Sequence, residues 1–223
     1  FNFTSIAGNL PGAPALMGNV SIWKPASSAI LACHYLLEML KEAGLPDGVI
    51  NFLPGDGATV GDPILNNSNL AGVHFTGSTS TFNYIWKTIG SNIDKYKTYP
   101  RIVGETGGKD FCLAHNSCDI DVLVTAIIRG AFEYQGQKCS AMSRAYIPKS
   151  IWYIVEQKLI TEAKKIKVGS PKDTSNFMNA VIDKNAFDNI TRYIDYVHGQ
   201  KDAEIIDGGN FDDSEGYFID PTI

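Results

Sequence analysis

The sequence lacks the patterns that mark several large classes of protein. Its four cysteines, Cys33, Cys112, Cys118 and Cys139, form no C-x-x-C pair and no second cluster at zinc-finger spacing. So few cysteines exclude a disulfide-stapled secreted scaffold, and we predict reduced thiols and no bound metal. The net charge is −5, with no basic stripe, which argues against nucleic acid as a partner.

Long apolar runs and targeting signals are also missing. No uninterrupted apolar segment approaches the ~20 residues that cross a bilayer, and the N-terminus has no basic region followed by an apolar one. We therefore predict no membrane association. With 44% hydrophobic and 19% charged residues, the 223-residue chain has the composition of a folded globular protein of one or two domains.

Short β-rich runs alternate with helical patterns along the first half of the chain. The runs lie at 49–53, 71–76 and 101–104, and the helical patterns cover 26–43 and then end near Leu65 and Ile89. This alternation predicts an α/β fold with a mostly parallel, doubly wound sheet. The helix over 26–43 should be capped by Ser27 or Ser28 and should end at Gly44.

The second half continues more loosely, with helices predicted over 121–134, 150–166 and 183–198 and a strand over 144–148. The Gly107-Gly108 pair is the best candidate for a hinge, although such a pair is often only a turn. From the residues alone, a domain boundary at this pair and a simple turn both stay open.

Two glycine-containing turns follow predicted strands. The turn over 55–61 has G-x-G-x-x-x-G spacing and not the dinucleotide fingerprint G-x-G-x-x-G, so an ordinary turn is the favoured interpretation. Thr76-Gly77-Ser78-Thr79 is a better phosphate site, because Gly77 permits close approach and the next residues offer hydroxyls and amides at a helix start. A simple Ser or Thr N-cap is the alternative there.

Glu105 and Cys139 are the candidate reactive groups. Glu105 ends a predicted strand beside two glycines, which makes it a candidate general base or else a solvated turn residue. Cys139 lies in a polar segment, whereas Cys33 lies in an apolar stripe, so Cys139 is the candidate nucleophile. A cysteine hydrolase would need a histidine partner, and none has a recognisable context: His34, His74, His115 and His198.

Two further side chains are candidates by their chemical type. Asn2, between two phenylalanines, could donate its amide to an oxyanion. Lys24, in Trp23-Lys24-Pro25, could bond ribose hydroxyls, although a lone lysine is usually a surface charge.

Together these motifs resemble the NAD(P)-dependent aldehyde dehydrogenase superfamily. The glutamate motif is Glu105-Thr106-Gly107-Gly108-Lys109, the nucleophile motif is Gly136-Gln137-Lys138-Cys139, and Glu105 and Cys139 lie 34 residues apart, as in the family. The resemblance implies a Rossmann-like NAD-binding domain over 1–106 and a second α/β catalytic domain over 107–223, each of them partial.

The resemblance also implies a role for each candidate residue. Cys139 is then the nucleophile, Glu105 the general base of thioester hydrolysis, and Asn2 an oxyanion donor. Lys24 bonds the adenosine ribose of NAD. The pyrophosphate site is shaped by five consecutive residues, Gly77, Ser78, Thr79, Ser80 and Thr81.

Within the family, the segments 1–4, 9–19 and 132–141 are similar to the branch that oxidises L-glutamate γ-semialdehyde to L-glutamate in proline catabolism. In that branch Ser140 helps to hold the substrate carboxylate. The branch implies a small aldehyde substrate, the mitochondrial matrix and a homo-oligomer. A dehydrogenase of another aldehyde, or a catalytically silent relative, is the alternative.

This chain departs from the family pattern at two positions. Many relatives have glycine where Phe82 stands in the pyrophosphate loop, and many NAD-preferring relatives have an acid where Ser27 stands. The family's segments for the nicotinamide ribose and for oligomerisation are expected beyond Ile223. We therefore expect the isolated 223-residue chain to be nearly inactive.

Overall fold

A computed structural model describes residues 4–223 of the chain. It divides into two compact units, Phe1–Gly107 and Gly108–Ile223. The Gly107-Gly108 pair that was predicted to be a hinge therefore lies at the division. The assignment of a cofactor role to the first unit and a catalytic role to the second stays a prediction.

The first unit alternates helices and short strands. Its elements are α1 (Thr4–Leu16), β1 (Ser21–Trp23), α2 (Ile30–Glu42), β2 (Ile50–Phe52), α3 (Gly57–Leu65), β3 (Gly72–Thr76), α4 (Thr79–Ser91) and β4 (Arg101–Glu105). Strands β1 and β2 pair in parallel, and β3 pairs with β4 in parallel. The predicted α/β class is confirmed, with each pair forming a two-stranded sheet among the described residues.

Two hydrophobic clusters hold the first unit together. One lies between α1, α2 and the β1–β2 pair and is centred on Trp23, Cys33 and Leu37. The other packs Leu65, Ile85 and Ile89 of α3 and α4 against the β3–β4 pair. Helices thus bury their apolar faces on parallel strands, which is how this fold class excludes water.

Helix α1 was not predicted, because it contains Pro11 and Pro14 and proline removes a helical N–H donor. Pro14 leaves the carbonyl of Leu10 without its helical donor. His74 Nδ1 of β3 donates to that oxygen at 3.2 Å. The hydroxyl of Ser21 donates to the Pro11 carbonyl at 3.0 Å. Neighbouring strands therefore supply donors to this helix.

The start of the helix predicted over 26–43 differs from expectation. A 3₁₀ turn, Ser27–Ala29, precedes α2, and neither the turn nor the helix has a side-chain cap. The predicted caps Ser27 and Ser28 are therefore wrong, because they lie inside the turn. The predicted end is confirmed: Gly44 has φ of 101°, a left-handed conformation that favours glycine after a helix.

The second unit contains a parallel pair followed by helices and a small antiparallel pair. Its elements are β5 (Asp110–Leu113), α5 (Ile120–Phe132), β6 (Met142–Tyr146), α6 (Lys149–Ala163), α7 (Lys184–His198), β7 (Phe211–Asp212) and β8 (Phe218–Ile219). One cluster packs Val124 and Ile127 of α5 on Val155 of α6, and a second surrounds Phe187 and Ile219. Residues 4–223 include no helix with the length and apolar character to span a bilayer.

Candidate active site

The parallel register of β3 and β4 brings the predicted base and the predicted cofactor loop together. Thr76, the last residue of β3, pairs with Glu105, the last residue of β4. The N–H of Gly77 then donates to the carbonyl oxygen of Glu105 at 3.2 Å. Both segments therefore leave the carboxyl edge of one strand pair, where α/β proteins bind ligands. The side chain of Glu105 is exposed there.

The next residues form the N-terminus of α4. Ser78 is its N-cap, and the Ser78 hydroxyl accepts from the N–H of Thr81 at 3.2 Å. The same hydroxyl contacts Ser80 Oγ at 3.1 Å and Thr81 Oγ1 at 2.8 Å. The cap is neutral, and the first N–H groups of a helix have no partner inside it. Those of Thr79 and Ser80 can therefore meet an anion, which the helix dipole favours.

The other glycine-containing turn, over 55–61, leads into a helix whose N-cap is charged. Asp56 caps α3, and its carboxylate accepts from the N–H groups of Ala58 and Thr59 at 2.9 and 3.1 Å. Both hydrogen bonds lower the pKa of Asp56, and the bond from Thr59 has the larger effect. A permanent negative charge thus occupies the start of α3. A pyrophosphate fits the neutral start of α4 and not that of α3, in keeping with the favoured interpretation of 55–61 as a turn.

Lys24 follows β1 at the same kind of strand edge. Its ammonium donates to the carbonyl oxygens of Pro25 at 2.8 Å and Gly55 at 3.4 Å. It is half-buried and so is held in one place, unlike a freely solvated lysine. An ammonium has three donors, which leaves one for a ribose hydroxyl. Lys24 and the start of α4 are therefore chemically suited to a dinucleotide.

Cys139 lies in a tight turn at the start of β6. The N–H of Ala141 donates to the carbonyl of Lys138 at 3.2 Å, so Cys139 and Ser140 occupy the two central positions of the turn. Cys139 is half-buried and Ser140 is exposed. A β-carbon on Gly108 would overlap the carbonyl oxygen of Cys139. The second glycine of the predicted glutamate motif is therefore needed for close backbone packing beside Cys139.

Three consecutive left-handed residues precede this turn. Tyr134, Gln135 and Gly136 have φ of 58°, 56° and 63°. The left-handed conformation costs about 1 to 2 kcal/mol for a residue with a side chain. Such conformations persist only where the surroundings enforce them, and they concentrate at functional sites. The Gln137 side chain contributes here, because its Oε1 accepts from the N–H of Ile182 at 3.0 Å.

A carboxylate joins the two ends of the left-handed segment. Glu133 accepts from Arg129 at 2.8 Å through one oxygen and from Lys138 at 2.6 Å through the other. Lys138, and then Arg129, lower the pKa of Glu133. The residue that precedes Cys139 is thereby tied to the end of α5. Sequence reasoning did not assign Glu133, although the i, i+4 spacing from Arg129 is a detectable signal.

The other cysteines and the histidines have local roles. Cys33 is 1% exposed in the core of the first unit, and burial raises the pKa of its thiol. His115 Nδ1 contacts the Ser117 hydroxyl at 2.8 Å, and His74 donates to α1. None of the four cysteines, all within residues 4–223, forms a disulfide. Within residues 4–223, no three His, Cys, Asp or Glu side chains are grouped to hold a metal.

The structure brings some of the predicted site residues together in each unit. The first unit joins the end of β4 to the start of α4 through the pairing of Thr76 with Glu105, and it holds Lys24 separately, after β1 and against the carbonyl of Gly55. The second unit places Cys139 and Ser140 in one turn. Asn2, the predicted oxyanion donor, lies outside the described residues.

Known proteins resemble the chain over its whole length. A sequence model of the aldehyde dehydrogenase family matches residues 1–223. Delta-1-pyrroline-5-carboxylate dehydrogenase, mitochondrial, of Dictyostelium discoideum is 56% identical over 225 residues, which include all of this chain and 40% of that protein. The rat protein of the same name is 47% identical over all of this chain and 40% of its own length.

Solved structures agree. The crystal structure of the delta-pyrroline-5-carboxylate dehydrogenase from Mycobacterium tuberculosis bound with NAD is 53% identical, with a TM-score of 0.96. The superposition covers 99% of this chain and 41% of that one. The chain thus spans about 40% of the length of the curated relatives it matches. Its fold, its paired motifs and these matches show that it belongs to the aldehyde dehydrogenase family.

Proposed function

We propose that the full-length protein containing this chain oxidises L-glutamate γ-semialdehyde to L-glutamate with NAD. The observation that carries the proposal is the pairing of Thr76 with Glu105, which joins a carboxylate to a helix start suited to a pyrophosphate. The relatives named as delta-1-pyrroline-5-carboxylate dehydrogenases support the choice of substrate. The NAD-bound relative supports the choice of cofactor.

Cys139 is the proposed nucleophile. Its thiolate attacks the aldehyde carbon, a carbon–sulfur bond forms, and the carbonyl π electrons move to the oxygen. The resulting oxyanion needs hydrogen-bond donors that are already in position. The N–H of Cys139 and the side-chain amide of Asn2 are the proposed donors. The turn over 138–141 and its contact with Gly108 fix the backbone that carries the first of them.

The carbon attached to the Cys139 sulfur would then lose a hydride, for which bound NAD would supply the acceptor. The chain's own residues hold the cofactor: Lys24 bonds the adenosine ribose, and residues 77–81 receive the pyrophosphate at the start of α4. Oxidation leaves an acyl group on Cys139 as a thioester.

Glu105 is the proposed base for the second half of the reaction. Its carboxylate takes a proton from water, and the hydroxide oxygen attacks the thioester carbon. The carbon–sulfur bond breaks, the acid is released and the thiolate of Cys139 returns. Ser140, exposed in the same turn as the nucleophile, is proposed to bind the distant carboxylate of the substrate.

The curated relatives from Dictyostelium discoideum and rat are named as mitochondrial proteins. We propose the same compartment for the full-length protein, and specifically the matrix. We also propose that it acts as a homo-oligomer on a small aldehyde, without nucleic acid or membrane partners.

The test is NADH formation by the full-length protein and by Cys139→Ala. Cys33→Ala is the matched control, because Cys33 is a buried core thiol. Cys139→Ala should abolish turnover, whereas Cys33→Ala should retain it in the fraction that folds. Undiminished activity of Cys139→Ala would overturn the proposal.

A substrate panel tests the aldehyde. Glutamate semialdehyde should give the highest kcat/KM, above succinate semialdehyde and propionaldehyde, because only it offers the α-amino acid group. A higher kcat/KM for another aldehyde would reassign the substrate. If the main activity were hydrolysis of esters or thioesters without NAD, the protein would be a hydrolase. If it turned over no aldehyde, it would be a catalytically silent relative.

A further inference from the structure

Two aromatic rings stack beside the strand ends that carry the site of the first unit. The ring of Phe75, on β3, lies parallel to that of Phe82, on α4, with centroids 5.9 Å apart and an interplanar angle of 10°. Trp86, one turn later on α4, meets the Phe82 ring edge-on at 5.6 Å. The rings are thus held between a strand and a helix, and such pairs resist displacement.

Each stacked ring lies against a glycine at the end of a strand. A β-carbon on Gly104 would overlap the Phe82 ring, and one on Gly77 would lie 2.6 Å from Cζ of Phe75. Gly104 directly precedes Glu105. Both glycines are therefore sites where the backbone must approach an aromatic ring more closely than any side chain allows.

The packing of Phe82 on Gly104 makes the two positions complementary in size. The phenyl ring of Phe82 fills the space that a β-carbon at position 104 would need. Gly104, opposite it on β4, has no side chain to occupy the same space. A side chain added at position 104 would therefore require the ring to move.

We propose that Phe82 is a positioning residue for Glu105. This inference rests on the proposed function, in which Glu105 is the base that activates water. The Phe82 ring packs on Gly104 and stacks on Phe75, which in turn packs on Gly77. The ring pair therefore sets the spacing between the cofactor loop and the end of β4, and it limits movement of the backbone that carries the Glu105 carboxylate.

If Phe82 positions Glu105, its replacement should impair only the thioester-hydrolysis half of the reaction. A displaced base slows hydrolysis of the thioester but leaves attack by Cys139 and hydride transfer intact. The variant Phe82→Gly, which removes the ring, should therefore accumulate acyl-enzyme during turnover. Its steady-state rate should fall on the order of 10- to 100-fold, the effect of a misplacement of about 1 Å.

The experiment is intact-mass analysis of acid-quenched full-length enzyme during turnover, with steady-state kinetics on the same samples. Glu105→Gln provides the reference for blocked hydrolysis. Asn83→Ala is the matched control, because Asn83 is the exposed neighbour of Phe82 on α4. Phe82→Gly should show a raised acyl-enzyme fraction, as Glu105→Gln does, whereas Asn83→Ala should match the wild type.

A double-mutant cycle keeps the test informative where a single variant folds poorly. Gly104→Ala should lose activity in the wild-type background, because its methyl group meets the Phe82 ring. The same change in Phe82→Gly should cause little further loss, because the space is then open. Thermal melting of all four proteins reports whether each is folded.

The results separate the two proposals. Wild-type turnover and acyl-enzyme level in Phe82→Gly, additive effects in the cycle, or a loss confined to the KM for NAD would each overturn the positioning role. Full turnover by Glu105→Gln would instead overturn the assignment of the base, and with it the proposed function of that residue.

Discussion

The α-carbon of Gly108 packs directly against the backbone carbonyl of Cys139, which leaves no room for a side chain at position 108. Gly107, its neighbour, has no atom within 4 Å of the place where a β-carbon would lie. The two glycines of the glutamate motif thus differ in their surroundings. One of them supports the backbone of the proposed nucleophile.

Gly108→Ala should lower kcat by about 10- to 100-fold, because its methyl group displaces the turn that holds Cys139. Gly107→Ala is the matched control and should change kcat by no more than about twofold, as for a substitution without new contacts. Steady-state NADH formation by the full-length variants measures both. Equal losses in the two variants would contradict the packing argument.

Ser78→Asp should raise the KM for NAD by about 10- to 100-fold, because a carboxylate at the start of α4 repels the pyrophosphate at close range. The helix itself should persist, since Asp is as good an N-cap as Ser. Asp56→Asn is the matched control, because Asp56 caps α3 and the proposed cofactor site is at α4. A fall in the KM for NAD in Asp56→Asn, with no change in Ser78→Asp, would move the site to α3.

Glu133→Gln should lower the melting temperature at pH 7 and change the alkylation rate of Cys139. This substitution weakens the ion pairs of residue 133 with Lys138 and Arg129, which flank the left-handed segment before Cys139. Asp188→Asn, which breaks the exposed pair with Lys184 on α7, should leave alkylation of Cys139 at the wild-type rate. Iodoacetamide labelling followed by peptide mass analysis measures the rates.

The pH dependence of that effect has a defined sign. The pKa of Glu133 is lower in the folded protein than in the unfolded chain, where it is about 4.3. Its contribution to stability is therefore complete above about pH 4.3 and is lost as the pH falls through the folded-state pKa. The difference in melting temperature between wild type and Glu133→Gln should shrink below that pH, and a difference that grows there would contradict the ion-pair argument.

Asn2→Ala should lower kcat on the order of 100- to 1,000-fold, the usual effect of removing one oxyanion donor. The reason is that the oxyanion on the Cys139 adduct would keep only the backbone N–H. Asn2→Asp, similar in size but with a negative charge, should be at least as inactive. A loss below about threefold in Asn2→Ala would remove this residue from the mechanism.

Some of the fold followed from the sequence, and the missing parts have physical explanations. The alternation of strands and helices predicted β2, β3 and β4 because each short apolar run is bounded by glycine, proline or polar residues. Helix α1 was missed because two prolines argue against a helix. The Leu10 carbonyl, which Pro14 leaves without its helical donor, accepts from His74, and the Pro11 carbonyl accepts from Ser21. The sequence of α1 itself does not indicate that residues outside the helix supply these donors.

The candidate site, too, was predictable in part from the sequence and in part only from the structure. The motifs around Glu105 and Cys139 and their separation of 34 residues identified the family from sequence alone, because this chemistry requires a nucleophile and a base of fixed types. The carboxylate at the start of α3 and the neutral cap of α4 were visible as Asp56 and Ser78. Their hydrogen bonds, which separate a simple turn from a phosphate site, required the structure.

The sequence by itself determined the α/β class and the family, and it supplied the candidate reactive residues, since all three depend on local pattern and residue type. Only the tertiary structure decided which glycines are needed and why. Gly104 and Gly108 owe their importance to Phe82 and to Cys139, which lie 22 and 31 residues away along the chain. Contacts between residues so far apart are set by packing and strand register, and no local pattern encodes them.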